Sequence, residues 1–264
     1  MKNAKLLLIV ALAMFVAALS LTTSGCKSDD NPVDTDQPIT DDLFPLKIGR
    51  QLVFSGFLRD AKTNINIEAT GAVYEARMTV TATSQATPFG TAHVLLDSQR
   101  VPTGLPNPPT TWFIQPYYIQ RSQPEGSGDF EFLTNIGRIY RLFNIQRTDS
   151  LQWILLVKQS AGVKNTWKDT VGSWTGQVQP GVTGQILLVI EGTIEDRADI
   201  TLGGQQFRPY KVTAKRKLYL NGVLAIDATT AELWLEPGVG IVKFIYHADG
   251  ETSGFSRDYK SRNF

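Results

Sequence analysis

Tyr210–Leu220, YKVTAKRKLYL, followed directly by Asn221-Gly222, decides the fold class. Lys211, Thr213, Lys215 and Lys217 alternate with Val212, Ala214, Leu218 and Leu220. Successive side chains of a strand point to opposite faces, so this period of two puts the lysines in water and the apolar set in a core. Arg216 falls on the apolar face and is the exception. Asn221-Gly222 supplies the two positive-φ residues of a tight hairpin, and Asp249-Gly250 does so again before the last strand. The C-terminal third therefore reads as an antiparallel meander.

Working outward, Gln51 to Leu58, Val73 to Thr83, Thr91 to Leu96, Ile139 to Ile145 and Ile186 to Ile194 are rich in β-branched and aromatic residues. They are bounded by Gly, Pro, Asn or Asp, which marks them as further strands. No window after the N-terminal stretch holds a helical period for long. Val101 to Pro109, with four prolines, and Ala161 to Gly176 read as long loops. No linker or internal repeat divides residues 43–264, so the expectation is a single all-β domain: one strongly curved antiparallel sheet or half-barrel built as a meander.

The first residues follow a different logic. Lys2 and Lys5 make a charged start, Leu6 to Leu21 an uncharged apolar stretch, and Thr22 to Gly25 a small-residue approach to Cys26, the only cysteine. This is the layout of an export signal over 1–25. An ordinary cleaved secretory peptide is the plainer reading, and a permanent span is disfavoured because sixteen residues fall short of the roughly 20 that cross a bilayer. A lone cysteine in an exported chain has no thiol to pair with, which points to lipid modification. Residues 26–42 hold Asp29, Asp30, Asp34, Asp36, Asp41 and Asp42 with Pro32 and Pro38, and read as the lipidated cysteine and a flexible acidic tether. Asp34 and Asp36 have the first spacing of a calcium loop, but its glycine and distal glutamate are missing.

Ser24, Gly25 and Cys26 resemble the lipobox of bacterial lipoproteins, with Thr23 where that motif has leucine. The run from Cys26 to Asp30 is similar to that of Bacteroidota-type envelope lipoproteins. The resemblance implies acyl chains on Cys26, outer-membrane anchoring and a periplasmic or surface-facing domain. Three downstream motifs resemble those of secreted bacterial lipoproteins: Phe44 to Gly49 (FPLKIG), Leu202 to Val212 (LGGQQFRPYKV) and Trp234 to Lys243 (WLEPGVGIVK). That likeness implies the half-barrel of LolA/LolB-like lipoprotein carriers and no particular activity. Each motif also has a local reason: Gly203-Gly204 and Pro237 to Gly240 suit tight turns between strands. A phosphate loop at GVGIVK lacks the helix whose N-terminus would face the anion.

Composition excludes a nucleic-acid partner. The chain has 26 basic and 25 acidic residues; losing Lys2 and Lys5 leaves a net charge of −1, with no concentrated basic face. Metal ligation is not expected, since His93 and His247 stand apart and there are no paired cysteines. No GxSxG elbow marks a hydrolase. Glu191, Glu195, Asp196 and Asp199 offer paired carboxylates, but near a turn where solvated charge is ordinary. No catalytic residue and no cofactor are implied. The aromatics remain: Trp112, Phe113, Tyr117, Tyr118, Trp153, Trp167, Trp174 and Trp234 belong either to the core, to an exposed face, or to an apolar cavity on the concave side. The sequence thus favours a non-catalytic, membrane-anchored binding protein meeting an envelope protein or surface. A carrier of a lipid or other apolar ligand, with Trp112, Tyr117, Tyr118, Trp153, Trp167 and Trp174 as lining, is the alternative, and a hydrolase a remote third.

Overall fold

The alternation in Tyr210–Leu220 carries through to structure: Val212, Ala214 and Leu218 are buried, and Arg216, in the same inward register, is only half-buried. The computed structural model describes residues 38–67, 73–87, 90–100, 112–122, 128–147, 149–247 and 254–264. The export signal, Cys26, residues 27–37, the Val101 to Pro109 loop and the Asp249-Gly250 turn lie outside these. All described residues fall in one compact unit, Asp34–Phe264.

The strands are β1 (Gln51–Arg59), β2 (Val73–Thr87), β3 (Gly90–Arg100), β4 (Phe113–Arg121), β5 (Phe130–Asn135), β6 (Leu151–Val157), β7 (Thr166–Gln179), β8 (Val182–Glu195), β9 (Ile200–Leu202), β10 (Gln205–Phe207), β11 (Tyr210–Leu220), β12 (Val223–Glu236), β13 (Gly240–Tyr246) and β14 (Gly254–Arg262). Twelve form one sheet in the order β6-β5-β4-β3-β2-β1-β14-β13-β12-β11-β8-β7, and β9-β10 is a separate hairpin. The described pairings in the large sheet are antiparallel. The architecture is the expected all-β meander, curled into a nearly closed barrel. Asn221 (φ 51°) and Gly222 (φ 80°) close the β11-β12 hairpin as expected. The β9-β10 hairpin packs Phe207 edge-on against Tyr259, with ring centroids 4.9 Å apart.

The barrel's seam lies between β6 and β7, which are consecutive in the chain yet at opposite edges of the sheet. Exposed strand edges are pairing hazards that native folds cover. Here the Leu155 amide donates to the Asp169 carboxylate at 3.1 Å, and the Gln177 amide donates to the Phe143 carbonyl at 2.6 Å. The Phe143 carbonyl follows α1 (Gly137–Leu142), and this corrects the expectation of a strand over Ile139 to Ile145. Ile136, Ile139, Tyr140 and Phe143 recur at helical spacing, with Arg138 and Arg141 between them; the stripe is one turn and a half long and reads as a short apolar run. Asn144, at φ 49°, ends it.

A second correction concerns Ala161 to Gly176. From Thr166 onward this stretch is β7, with Trp167 and Trp174 buried. Glycines make room for the rings: a Cβ on Gly172 would lie 2.2 Å from the Trp174 ring, and one on Gly192 of β8 would lie 2.1 Å from Trp167.

Strand registers fix two ends. The proximal end gathers residues 38–50 and the β2-β3, β4-β5, β6-β7 and β12-β13 connections; the distal end gathers β1-β2, β3-β4, α1, β7-β8, β11-β12 and β13-β14. Of the tether assigned to residues 26–42, the described part is 38–42, and there the chain crosses the proximal mouth as a strap. The Ile39 amide donates to Gln159 at 3.2 Å and the Gly238 amide to Asp42 at 2.9 Å. Gln159 Nε2 donates to Asp41 O at 2.8 Å, Tyr210 to the Asp41 carboxylate at 3.2 Å, and Arg121 pairs with Asp42 at 3.3 Å. Burial of Ile39, Leu43 and Phe44 holds the strap, and its acids serve as partners rather than solvated charges.

Candidate functional site

The concave interior is filled by the protein's own side chains. Phe44 from the strap packs on Phe130 and Phe132, at centroid distances of 5.6 and 6.2 Å, and Tyr140 of α1 meets Trp174 edge-on at 5.3 Å. Beneath the strap, a gap at the proximal mouth bounded by Phe44, Arg50, Leu52, Met78, Ile241 and Phe264 measures about 20 Å³, room for a water and for no ligand.

The aromatic candidates therefore do not line one cavity. Trp167 and Trp174 are core. Tyr117 packs against that core, its hydroxyl pushed up to about 12 by burial and by the Asp97 charge. Tyr118 and Trp153 are half-buried on β4 and β6. Trp112 lies at the distal end, with the Arg77 and Arg100 guanidinium groups 4.4 and 4.9 Å from its ring centroid. Trp174 also borders a second, open hollow of about 660 Å³ whose other walls, among them Asn144, Arg147, Thr175 and Gln177, are mostly polar.

A polar network that the sequence does not announce crosses the interior. Arg257 on β14 makes a bidentate pair with Asp97 on β3, at 2.8 and 2.9 Å, with both residues at most 1% exposed. Arg257 also donates to Gln99 at 3.0 Å and to the Tyr74 hydroxyl at 3.4 Å. Burial alone would lower the guanidinium pKa, but the hydrogen bonds and charge of Asp97 override it and raise it. Burial pushes the Tyr74 hydroxyl up as well. The network is sealed from solvent and serves the fold.

The accessible candidate is a polar cleft of about 500 Å³ at the proximal end, between the β2-β3 arm and β4 to β6. Ser84, Thr91, His93, Gln120, Arg121, Ser122, Asp129, Glu131 and Lys158 line it. Asp129 accepts from the Ser160 amide and hydroxyl at 3.0 and 2.9 Å, which fixes the β4-β5 connection to the end of β6. The cleft favours neutral forms: burial and the nearby acids Asp169 and Asp129 raise Glu131, while burial and the Arg121 charge lower His93. His93 Nδ1 is buried with no hydrogen-bond partner. An unfolded chain binds that histidine proton more readily than the folded one. Stability from this site is thus complete above the ordinary histidine pKa of about 6.5 and falls as pH drops through it toward the lower folded value. Denaturant titrations on either side of that pH are expected to show the loss, and His93→Gln to flatten it.

The other charged candidates are engaged on the outer face. Glu191 pairs with Lys217 at 2.8 Å and Lys168 at 3.6 Å, Glu195 with Lys211 at 3.4 Å, and Asp199 with Arg208 at 3.9 Å. Asp196 accepts from the Arg197 amide at 2.7 Å. The Lys217 hydrogen bond lowers the Glu191 pKa. His247 bonds Glu232 at 2.6 Å and Asn64 on its other nitrogen. Ser256 donates to Asn66 at 2.9 Å instead of to either histidine.

No protein-family model and no curated protein matches the chain. Two solved structures resemble it in shape. One is a protein of Parabacteroides distasonis ATCC 8503 named as a lipoprotein: 12% identity, TM-score 0.43, covering 85% of this chain and 100% of that one. The other, from Bacteroides fragilis NCTC 9343, is named as an exported protein with a YmcC-like fold: 10% identity, TM-score 0.38, with the same coverage. Neither likeness is deep enough to fix a fold or a function.

Proposed function

We propose that the chain is an exported lipoprotein, held in the outer membrane by acyl chains on Cys26, that acts without catalysis through contacts at its outer surface. The supporting observation is the filled interior. Strap, α1 and the tryptophans of β7 occupy the concave face that an apolar cargo would need, so the binding reading is favoured over the carrier. The polar cleft around His93 and Arg121 is the surface hollow that suits a polar partner group.

Intact-mass analysis of the protein extracted from bacterial membranes tests this. The expected species begins at Cys26 and carries diacylglyceryl and acyl additions, while a Cys26→Ser chain lacks them and is released from membranes, with a clean apo mass, by a high-salt wash that leaves the parent in place. An unmodified membrane-extracted cysteine would refute the anchor. A stoichiometric apolar molecule retained by the Cys26→Ser chain would establish the carrier instead.

A further inference from the structure

Exposed large apolar residues are distributed unevenly between the two ends. Eleven are exposed among the described residues: Ile48, Ile65, Val73, Phe113, Ile114, Leu142, Val182, Val223, Leu224, Tyr246 and Phe264. Only Ile48 and Phe264 belong to the proximal end. The other nine sit at the starts and ends of strands, or in connections, at the distal end. The proximal end has comparable lengths of connection, so loop content does not explain the asymmetry. Scattered exposed apolar residues are ordinary, but their concentration on one rim is not.

We infer that this distal rim docks on the surface of an anionic bilayer. Two observations select that occupant. First, the apolar groups stand apart on separate strand ends: Val223 and Leu224 follow the Asn221-Gly222 turn, Val182 follows Pro180-Gly181, and Phe113 and Ile114 open β4. A fluid interface receives separate apolar groups, whereas a rigid protein would need a matching recess for each. Second, the sector from β2 to β6 is basic. At its distal end the described surface charges beside Trp112 are Arg77, Arg100, Arg138, Arg141 and Arg147 against Glu75 and Asp149, five cations to two anions, with Arg77 and Arg147 paired to those two acids. The described acid beside this sector is Asp60 of the β1-β2 connection, whose carboxylate accepts from the Lys62 and Thr63 amides at 3.0 and 2.7 Å. Apolar groups, an interfacial tryptophan and arginines are the combination that anionic lipid surfaces attract.

The test is vesicle flotation of the chain from residue 26 carrying Cys26→Ser, which removes any anchor and makes the result independent of lipidation. The parent is expected to bind vesicles containing phosphatidylglycerol and to bind pure phosphatidylcholine weakly. A Phe113→Ser, Ile114→Ser, Val223→Ser, Leu224→Ser chain is expected to lose roughly tenfold or more in partition, since each apolar side chain moved out of water contributes on the scale of a kcal/mol. Arg100→Gln with Arg141→Gln is expected to lose about fivefold per arginine on the anionic vesicles alone. Ile48→Ser, at the proximal end, is expected to change nothing. All these positions lie on the surface, so unchanged melting confirms folding. A parent that floats with neither vesicle, variants that bind as the parent does, or a rim that drives self-association without lipid would each overturn the inference.

Discussion

Arg257→Ala is expected to cost about 3–5 kcal/mol of stability, because it leaves a carboxylate buried without its counter-ion. Asp97 is fully buried, and its remaining neighbour is the Gln115 amide at 3.5 Å, so water does not replace the lost guanidinium. Arg257 also stacks on the Phe255 ring at 4.9 Å, and truncation removes that contact too. β2 and β1 separate β3 from β14 in the sheet, so the pair reaches across the concavity instead of along one ladder. The double replacement Arg257→Met with Asp97→Leu removes both charges and fills the space, and is expected to recover most of the loss. Urea unfolding with an unchanged m-value is the appropriate measurement, since a shift in midpoint alone then reports stability. A double variant as unstable as the single one would show that geometry, not charge, dominates at this site.

That network marks where sequence reading stops. In Tyr210–Leu220 every signal agrees: charge alternates with aliphatics, and Asn221-Gly222 closes the hairpin, so the strands, turn and buried set were legible. Asp97 and Arg257 are charges within strands, and a charge in a strand reads as solvent-facing until a partner from a distant strand is known. Their partnership spans 160 residues. The strap failed for a similar reason. Asp41 and Asp42 look like part of a solvated acidic tether, but Gln159, Arg121, Tyr210 and Gly238, which hold the strap in place, are remote in sequence. At α1 the helical stripe was present but too short to outweigh β-rich composition. Of the site candidates, His93 was visible, whereas its cleft is assembled from five strands and leaves no local pattern. The six aromatics read equally as core, exposed face or cavity lining, and packing distributes them over core, half-buried and rim positions.

The glycines beneath the tryptophans give the second large effect, and one whose sign separates two physical accounts. Gly192 lies opposite Trp167 across the β7-β8 ladder. Considered as an isolated strand position, glycine is a poor residue there, and a β-branched side chain would raise strand propensity by up to about 1 kcal/mol. Gly192→Val is nevertheless expected to destabilise by about 3 kcal/mol, because even the first carbon would meet the indole at 2.1 Å and the ring, only 3% exposed, has no free space to enter. The ring is the cause, so its removal should reverse the sign. Trp167→Ala alone is expected to cost about 3–5 kcal/mol through the cavity it leaves. In that background Gly192→Val should become neutral or stabilising, giving a coupling energy of several kcal/mol in a double-mutant cycle. Equal costs of Gly192→Val in both backgrounds would mean that the backbone at Gly192, not the tryptophan above it, requires the glycine.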